Sequence, residues 1–187
     1  MSVTGTALDG RTGRTAGVGE AAGAEPGRAV RVAAAVAAGG LIAAGALHAV
    51  WVFSPWPLES RAEFATVVVG VDEAHLPSAP LTFAVAGLLG VAGSLVLAGA
   101  RPPAHRLSGS WPVRAGLWTV AGVLGVRGLG GLVASGLGLG DVPAEHRHWD
   151  LVLYSPLCVT LGGLAGYVAL RTRRRSRTPK GRGVMAA

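Results

Sequence analysis

From Pro80 to Ala100 the chain reads "PLTFAVAGLLGVAGSLVLAGA", 21 residues without a single charged side chain. That run constrains the fold more than any other feature. In bilayer hydrocarbon there is no water to satisfy backbone N–H and C=O groups, so a crossing segment must bond internally as a helix. About 20 residues suffice to span. Three other runs are comparable: 32–53, 113–139 (interrupted by Arg127 and glycine-rich toward its end) and 151–170. The predicted fold is all-α, a four-helix transmembrane bundle occupying residues 29–170.

Residues 1–28 are rich in Gly, Ala and Thr with scattered charge and no apolar periodicity, the pattern of a disordered cytoplasmic arm. The 22-residue run at 32–53 is too long for a signal-peptide core of roughly 7–15 residues. Residues 171–187 form a basic cytoplasmic tail. Only 14% of the chain is charged and mean hydropathy is +0.47, against about a quarter charged in soluble domains. The net charge of +7 does not indicate a nucleic-acid partner, because seven of the 17 basic residues lie between Arg171 and Arg182. A basic run beside an apolar span fits topology and anionic headgroups. One cysteine excludes an intrachain disulfide and a multi-cysteine metal cluster. Sixteen Arg to one Lys suggests a GC-rich bacterial genome.

Basic flanks set the expected orientation. Arg28 and Arg31 precede the first span, Arg101, Arg106 and Arg114 flank the second connection, and the Arg-rich tail follows the fourth span. The other connections carry one arginine each, Arg61 and Arg147. The positive-inside rule then places both termini in the cytoplasm of a multi-pass plasma (inner) membrane protein. Trp51, Trp56, Trp111 and Trp149 fall where interfacial anchors belong, and Trp118 lies about a turn deeper. The acidic outer loop 54–79 carries a short apolar patch, "FATVVVGV", that reads as an interfacial segment or a lid.

Arg127 is the most informative residue, since an arginine deep in a span costs roughly 2.5–3.5 kcal/mol on insertion scales. Two placements are open to it: inside the bundle on polar partners, or snorkelling outward from a helix that ends early at Gly128, Gly130 and Gly131. Either way Asp150 and Tyr154, one helical turn apart, are the leading partners, and with His48 they define a polar cluster in the outer half. His146 and His148 in "EHRHWD" could ligate a transition metal, but an H-x-H pair without a second motif predicts none, and no cofactor is predicted. "YSPLC" specifies no base for Ser155 and nothing to activate Cys158 as a nucleophile. Pro156 removes a helical hydrogen bond, and Ser155 can satisfy freed backbone groups. Gly87, Gly90 and Gly93, with the pair Gly162 and Gly166, read as helix-packing surfaces.

"ALHAVW" (46–51), "GVRGLGGL" (125–132) and "WDLVLYSPLC" (149–158) together resemble a family of small four-helix bacterial membrane proteins, domain of unknown function 3995. The resemblance covers roughly residues 30–170. Its most specific motif is an Asp followed shortly by Leu-Tyr-Ser-Pro-Leu-Cys. Family members tend to follow the arginine with a glycine and an acidic or aromatic residue, whereas Gly130 and Gly131 stand there in this chain. The resemblance implies a multi-pass membrane protein and marks His48, Trp51, Arg127, Asp150, Tyr154, Ser155, Pro156 and Cys158. It implies no activity.

No complete catalytic constellation is visible. The leading expectation is a non-enzymatic structural, accessory or small-ligand or lipid-binding protein. The alternatives are a membrane enzyme or redox component using the polar cluster, and an oligomeric transport component. The lipid bilayer is the expected partner, with a homo-oligomer or membrane partner as a further one.

Overall fold

The computed structural model describes residues 17–101 and 110–175, and among them every regular element is helical. Helix α1 is Gly17–Trp51. The connection after it holds α2 (Arg61–Phe64), a π turn (Ala65–Val69) and a 3₁₀ turn (Glu73–His75). Then come α3 (Ala79–Ala100), α4 (Trp111–Gly136), the short α5 (Ala144–Trp149), a second π turn (Asp150–Tyr154) and α6 (Ser155–Arg175). Four stretches are long and apolar enough to cross a membrane: Gly27–Trp51, Ala79–Ala100, Trp111–Gly136 and Ala144–Thr172. The protein is an all-α, four-span membrane bundle. Residues 52–78 and 137–143 form a cap at one end; the start of α1 and the end of α6 share the other.

Boundaries differ from the sequence reading for local reasons. Helix α1 starts at Gly17, inside the segment read as a disordered arm, where alanines and glutamates between residues 20 and 25 favour helix without apolar periodicity. Residues 1–16, Arg106 and the tail from residue 176 lie outside the described residues. Helices α3 and α4 both open on Ser-x-Pro, Ser78 to Pro80 and Ser110 to Pro112. Proline suits a first turn, whose N–H groups have no helical partner anyway. Helix α4 stops at Gly136 rather than 139, because Gly138 and Gly140 take φ of +66° and +83°. The expected 151–170 span begins seven residues earlier, at Ala144, as α5 runs through the π turn into α6.

Hydrophobic burial does not drive helices together when the solvent is lipid, so close backbone approach has to. The seam follows that rule. Helix α1 buries Val30, Ala33, Ala34, Ala37, Ala38 and Leu41, a mostly alanine stripe, against Val96 of α3 and Leu161, Ala165, Val168 and Ala169 of α6. Helix α1 pairs chiefly with α3, and α4 with α6. A Cβ on Gly93 would stand 3.2 Å from the Ala38 carbonyl, one on Gly162 3.0 Å from Leu124 Cβ, and one on Gly128 2.8 Å from the Ser155 carbonyl. Gly166 has only ordinary contact, 3.7 Å from Ala121 Cβ. At Gly87 and Gly90 a Cβ would meet nothing within 4 Å, so their own faces are not where helices meet. A Cβ on Gly45 would stand 3.0 Å from the Ala86 carbonyl, so Gly45 makes the approach to that stretch of α3.

The outer residues of the spans, such as Val36, Phe83, Val126 and Leu153, are apolar and exposed, as a lipid-facing surface requires. Trp118 joins them rather than the interior. Trp111 and Trp149 are also exposed at helix ends, and Trp56 is exposed in the connection between α1 and α2. Trp51 is partly covered: its ring packs at a tilt against His48 and Phe64 (centroids 4.8 and 5.1 Å), and its Nε1–H donates to the Trp56 carbonyl. The 54–79 connection carries three short helical turns and lies over the bundle end. Ser60 caps α2 by accepting from the Glu63 N–H, and Ala65 is fully buried.

Candidate ligand-binding site

Arg127 reaches from α4 to the start of α6. Its Nη2 donates to Asp150 Oδ1 at 2.8 Å, and its Nη1 donates to Ser155 Oγ at 3.3 Å. Ser135 Oγ donates to the other Asp150 oxygen at 2.7 Å. The Asp150 side chain is 3% exposed and Ser155 is fully buried, so the carboxylate has a cation on one oxygen and a hydroxyl on the other. A buried carboxylate without such partners would be strongly destabilising. The Arg127 side chain is 46% exposed. Two of its five N–H donors are engaged, which leaves donors for another acceptor.

Two local features bring these groups together. Pro156 has no N–H to offer the turn before it, and the chain there widens to a π turn in which the Ser155 N–H bonds the Asp150 carbonyl. The extra residue in the turn changes which side chains share a face. An ordinary helix would align Asp150 with Tyr154; here Asp150 and Ser155 both meet Arg127. Tyr154 instead lies against the His146 ring, centroids 5.9 Å apart. The second feature is Gly131. A Cβ there would fall 2.8 Å from Asp150 Oδ2 and collide with Ser155 Oγ and Arg127 Nη1, so the polar cluster occupies the room of a missing side chain.

The free side of Arg127 looks into a cleft of about 420 Å³. Its walls come from the end of α1 (His48, Trp51), the cap (Val52, Arg61, Phe64, Val68) and the start of α3 (Leu81, Thr82, Val85), with His146 from α5. Arg127 is the one residue α4 contributes. All ionisable side chains on the wall are basic: His48, Arg61, Arg127 and His146. Arg61 has a distant, exposed partner in Glu73 at 3.9 Å. The cap is latched over the cleft through His146, whose Nδ1 lies 3.1 Å from the Val67 carbonyl. Gly70, in left-handed conformation at φ +80°, lies against the same ring, where a Cβ would be 2.8 Å from Cγ.

The family model described as protein of unknown function (DUF3995) matches residues 41–165. The chain belongs to that family. The match runs from the cap-side third of α1 through the first half of α6, and so takes in the cap, the cleft and the Arg127 cluster. No curated protein and no solved structure matches the chain.

Of the four polar residues picked from sequence, Arg127 and Asp150 are paired, His48 shares the cleft wall with Arg127, and Tyr154 is turned to His146. His48 is bonded within its own helix, Nδ1 to the Ala44 carbonyl at 2.8 Å. Sequence reasoning missed Ser135, read Gly131 only as part of an early helix end, and weighed Ser155 as a nucleophile or a backbone partner rather than as a partner of Arg127. The one available signal was the missing side chain at Gly131, one turn after Arg127. Among the described residues no three His, Cys, Asp or Glu side chains gather as a metal site.

Proposed function

We propose that this membrane protein is a non-enzymatic binder of a small ligand or lipid, seated in the cleft under the cap and anchored by Arg127. The observation that carries this reading is the cleft wall itself, whose ionisable members are all basic and whose remainder is apolar and aromatic apart from Thr82. Binding sites combine apolar walls with a few placed polar groups in this way. Arg127 is well suited to hold an anionic group, because Asp150 and Ser155 fix its plane while leaving donors free.

The enzyme or redox reading has less support, since only His48 and Arg127 of the polar cluster line the cleft and neither histidine there has a carboxylate partner.

The reading is tested with benzoate, a soluble ring bearing one carboxylate, and with neutral benzamide as control. In a neutral detergent, benzoate should raise the melting temperature saturably, and benzamide should not. Thr82→Trp, which fills the cleft from α3 without touching the Arg127 pair, should remove the effect. No shift, or one unchanged by Thr82→Trp, overturns the reading.

A further inference from the structure

Leu81, Leu88 and Leu95 recur every seven residues on α3, and so share one face of that helix. Gly116, Val123 and Gly130 do the same on α4. Near the termini the two faces meet: a Cβ on Gly116 would stand 2.9 Å from Leu95 Cδ1, and Leu117 fills the space beside Gly99. Two turns nearer the cap they have parted. Leu88 is 69% exposed, Val123 is 63% exposed, and a Cβ on Gly130 would meet nothing within 4 Å. All of α3's buried residues, Gly93, Val96 and Gly99, lie in its far half. The helices therefore diverge toward the cap, and the wedge between them runs from the lipid-facing surface to the cleft, where Leu81 and Val85 form the wall and Arg127 supplies the α4 side.

We infer that the occupant is a single-chain anionic amphiphile that enters sideways from the bilayer. Its acidic head pairs with the Arg127 guanidinium, and its chain leaves between α3 and α4. This deepens the binding reading above and rests on it. Three observations select the class. The ionisable wall residues are all basic, which suits an anion. The exit path is lined by Leu81, Leu88 and Val123, which suits a hydrocarbon chain and offers nothing to a polar ligand. The cleft, about 420 Å³, is near the small end of ligand sites and suits one head with the upper part of one chain. A charged head at this depth needs a fixed cation, because an unpaired charge within a bilayer is costly.

The test uses the full-length protein in phosphatidylcholine nanodiscs and a palmitic acid bearing a diazirine in its chain. Photolysis should label the protein saturably, with adducts on the facing residues of α3 and α4 around Leu81, Leu88 and Val123. Diazirine-palmityl alcohol of equal length should label without saturation. Arg127→Gln should reduce saturable labelling about tenfold or more, as loss of a charge-assisted contact implies. Thr82→Trp, which leaves the ion pair intact, should do the same and guards against misfolding of the first variant. Equal labelling by acid and alcohol, or labelling indifferent to Thr82→Trp, overturns the amphiphile. If benzoate still stabilises the protein in that event, the binding reading survives with a water-soluble anion as its ligand; if benzoate also fails, both fall. Complete competition by phosphatidylglycerol, which carries its anionic head on two chains, overturns the single-chain assignment.

Discussion

Gly131 shows how much a single absent side chain can organise. It lies on α4 opposite Asp150 and Ser155, one turn after Arg127, and the polar cluster fills the volume its Cβ would need. Gly131→Ala should break the Arg127–Ser155 bond and lower stability by about 1–3 kcal/mol, the usual cost of overpacking. Gly130→Ala, one residue away and facing open space, should cost nothing and gain up to about 1 kcal/mol from reduced unfolded-state freedom. Thermal unfolding in mild detergent, followed by circular dichroism, would rank the variants; equal melting temperatures would show that the cluster does not need the space. The family motif pointed to Arg127, Asp150 and Ser155, but which of them touch was not legible. An α-helical reading of "DLVLYSP" pairs Asp150 with Tyr154, and only the π turn before Pro156 replaces Tyr154 by Ser155.

Among the elements, α4 and α6 are held together by backbone approach at Gly128 and Gly162, and α1 and α3 by Gly45 and Gly93. Gly128→Ala would put a Cβ 2.8 Å from both the Ser155 carbonyl and the Val159 nitrogen, backbone atoms that cannot turn aside. It should push the two helices apart at the level of the Arg127 cluster and lower stability by about 2 kcal/mol or more. Gly87→Ala, on an open face of α3, should leave the melting temperature unchanged or slightly higher. The same detergent unfolding assay decides the matter, and a Gly128→Ala variant as stable as the parent would remove glycine packing as the basis of the α4–α6 pair. Every one of these positions is a glycine in an apolar run, so composition alone could not separate the packed from the open ones. The direction each faces depends on how the helix is rotated against its neighbours.

At the scale of the whole molecule, the four spans form a tight bundle near the termini and open toward the cap, with the core concentrated in the middle of α1, the second half of α6, the end of α3 and the start of α4. The arginine distribution predicts that the termini face the cytoplasm and the cap the other side. In a Cys158→Ser background, Glu59→Cys on the exposed cap should react with an impermeant maleimide added outside intact cells. Arg28→Cys, exposed at the opposite end of α1, should react only after the membrane is opened. The reverse pattern would overturn the charge argument and place the cleft's mouth on the cytoplasmic side.

The number of spans, their approximate limits and the need to neutralise Arg127 follow from sequence alone, because length and the absence of charge decide what can sit in hydrocarbon. The rest belongs to the tertiary structure. The space over Gly131 and the parting of α3 from α4 depend on contacts between helices far apart in the chain, and so does the meeting of the locally set π turn at Asp150–Tyr154 with Arg127. No local run of residues encodes the rotation and tilt that make one glycine a contact and its neighbour a gap. That geometry is what turns a solitary intramembrane arginine into one wall of a cleft.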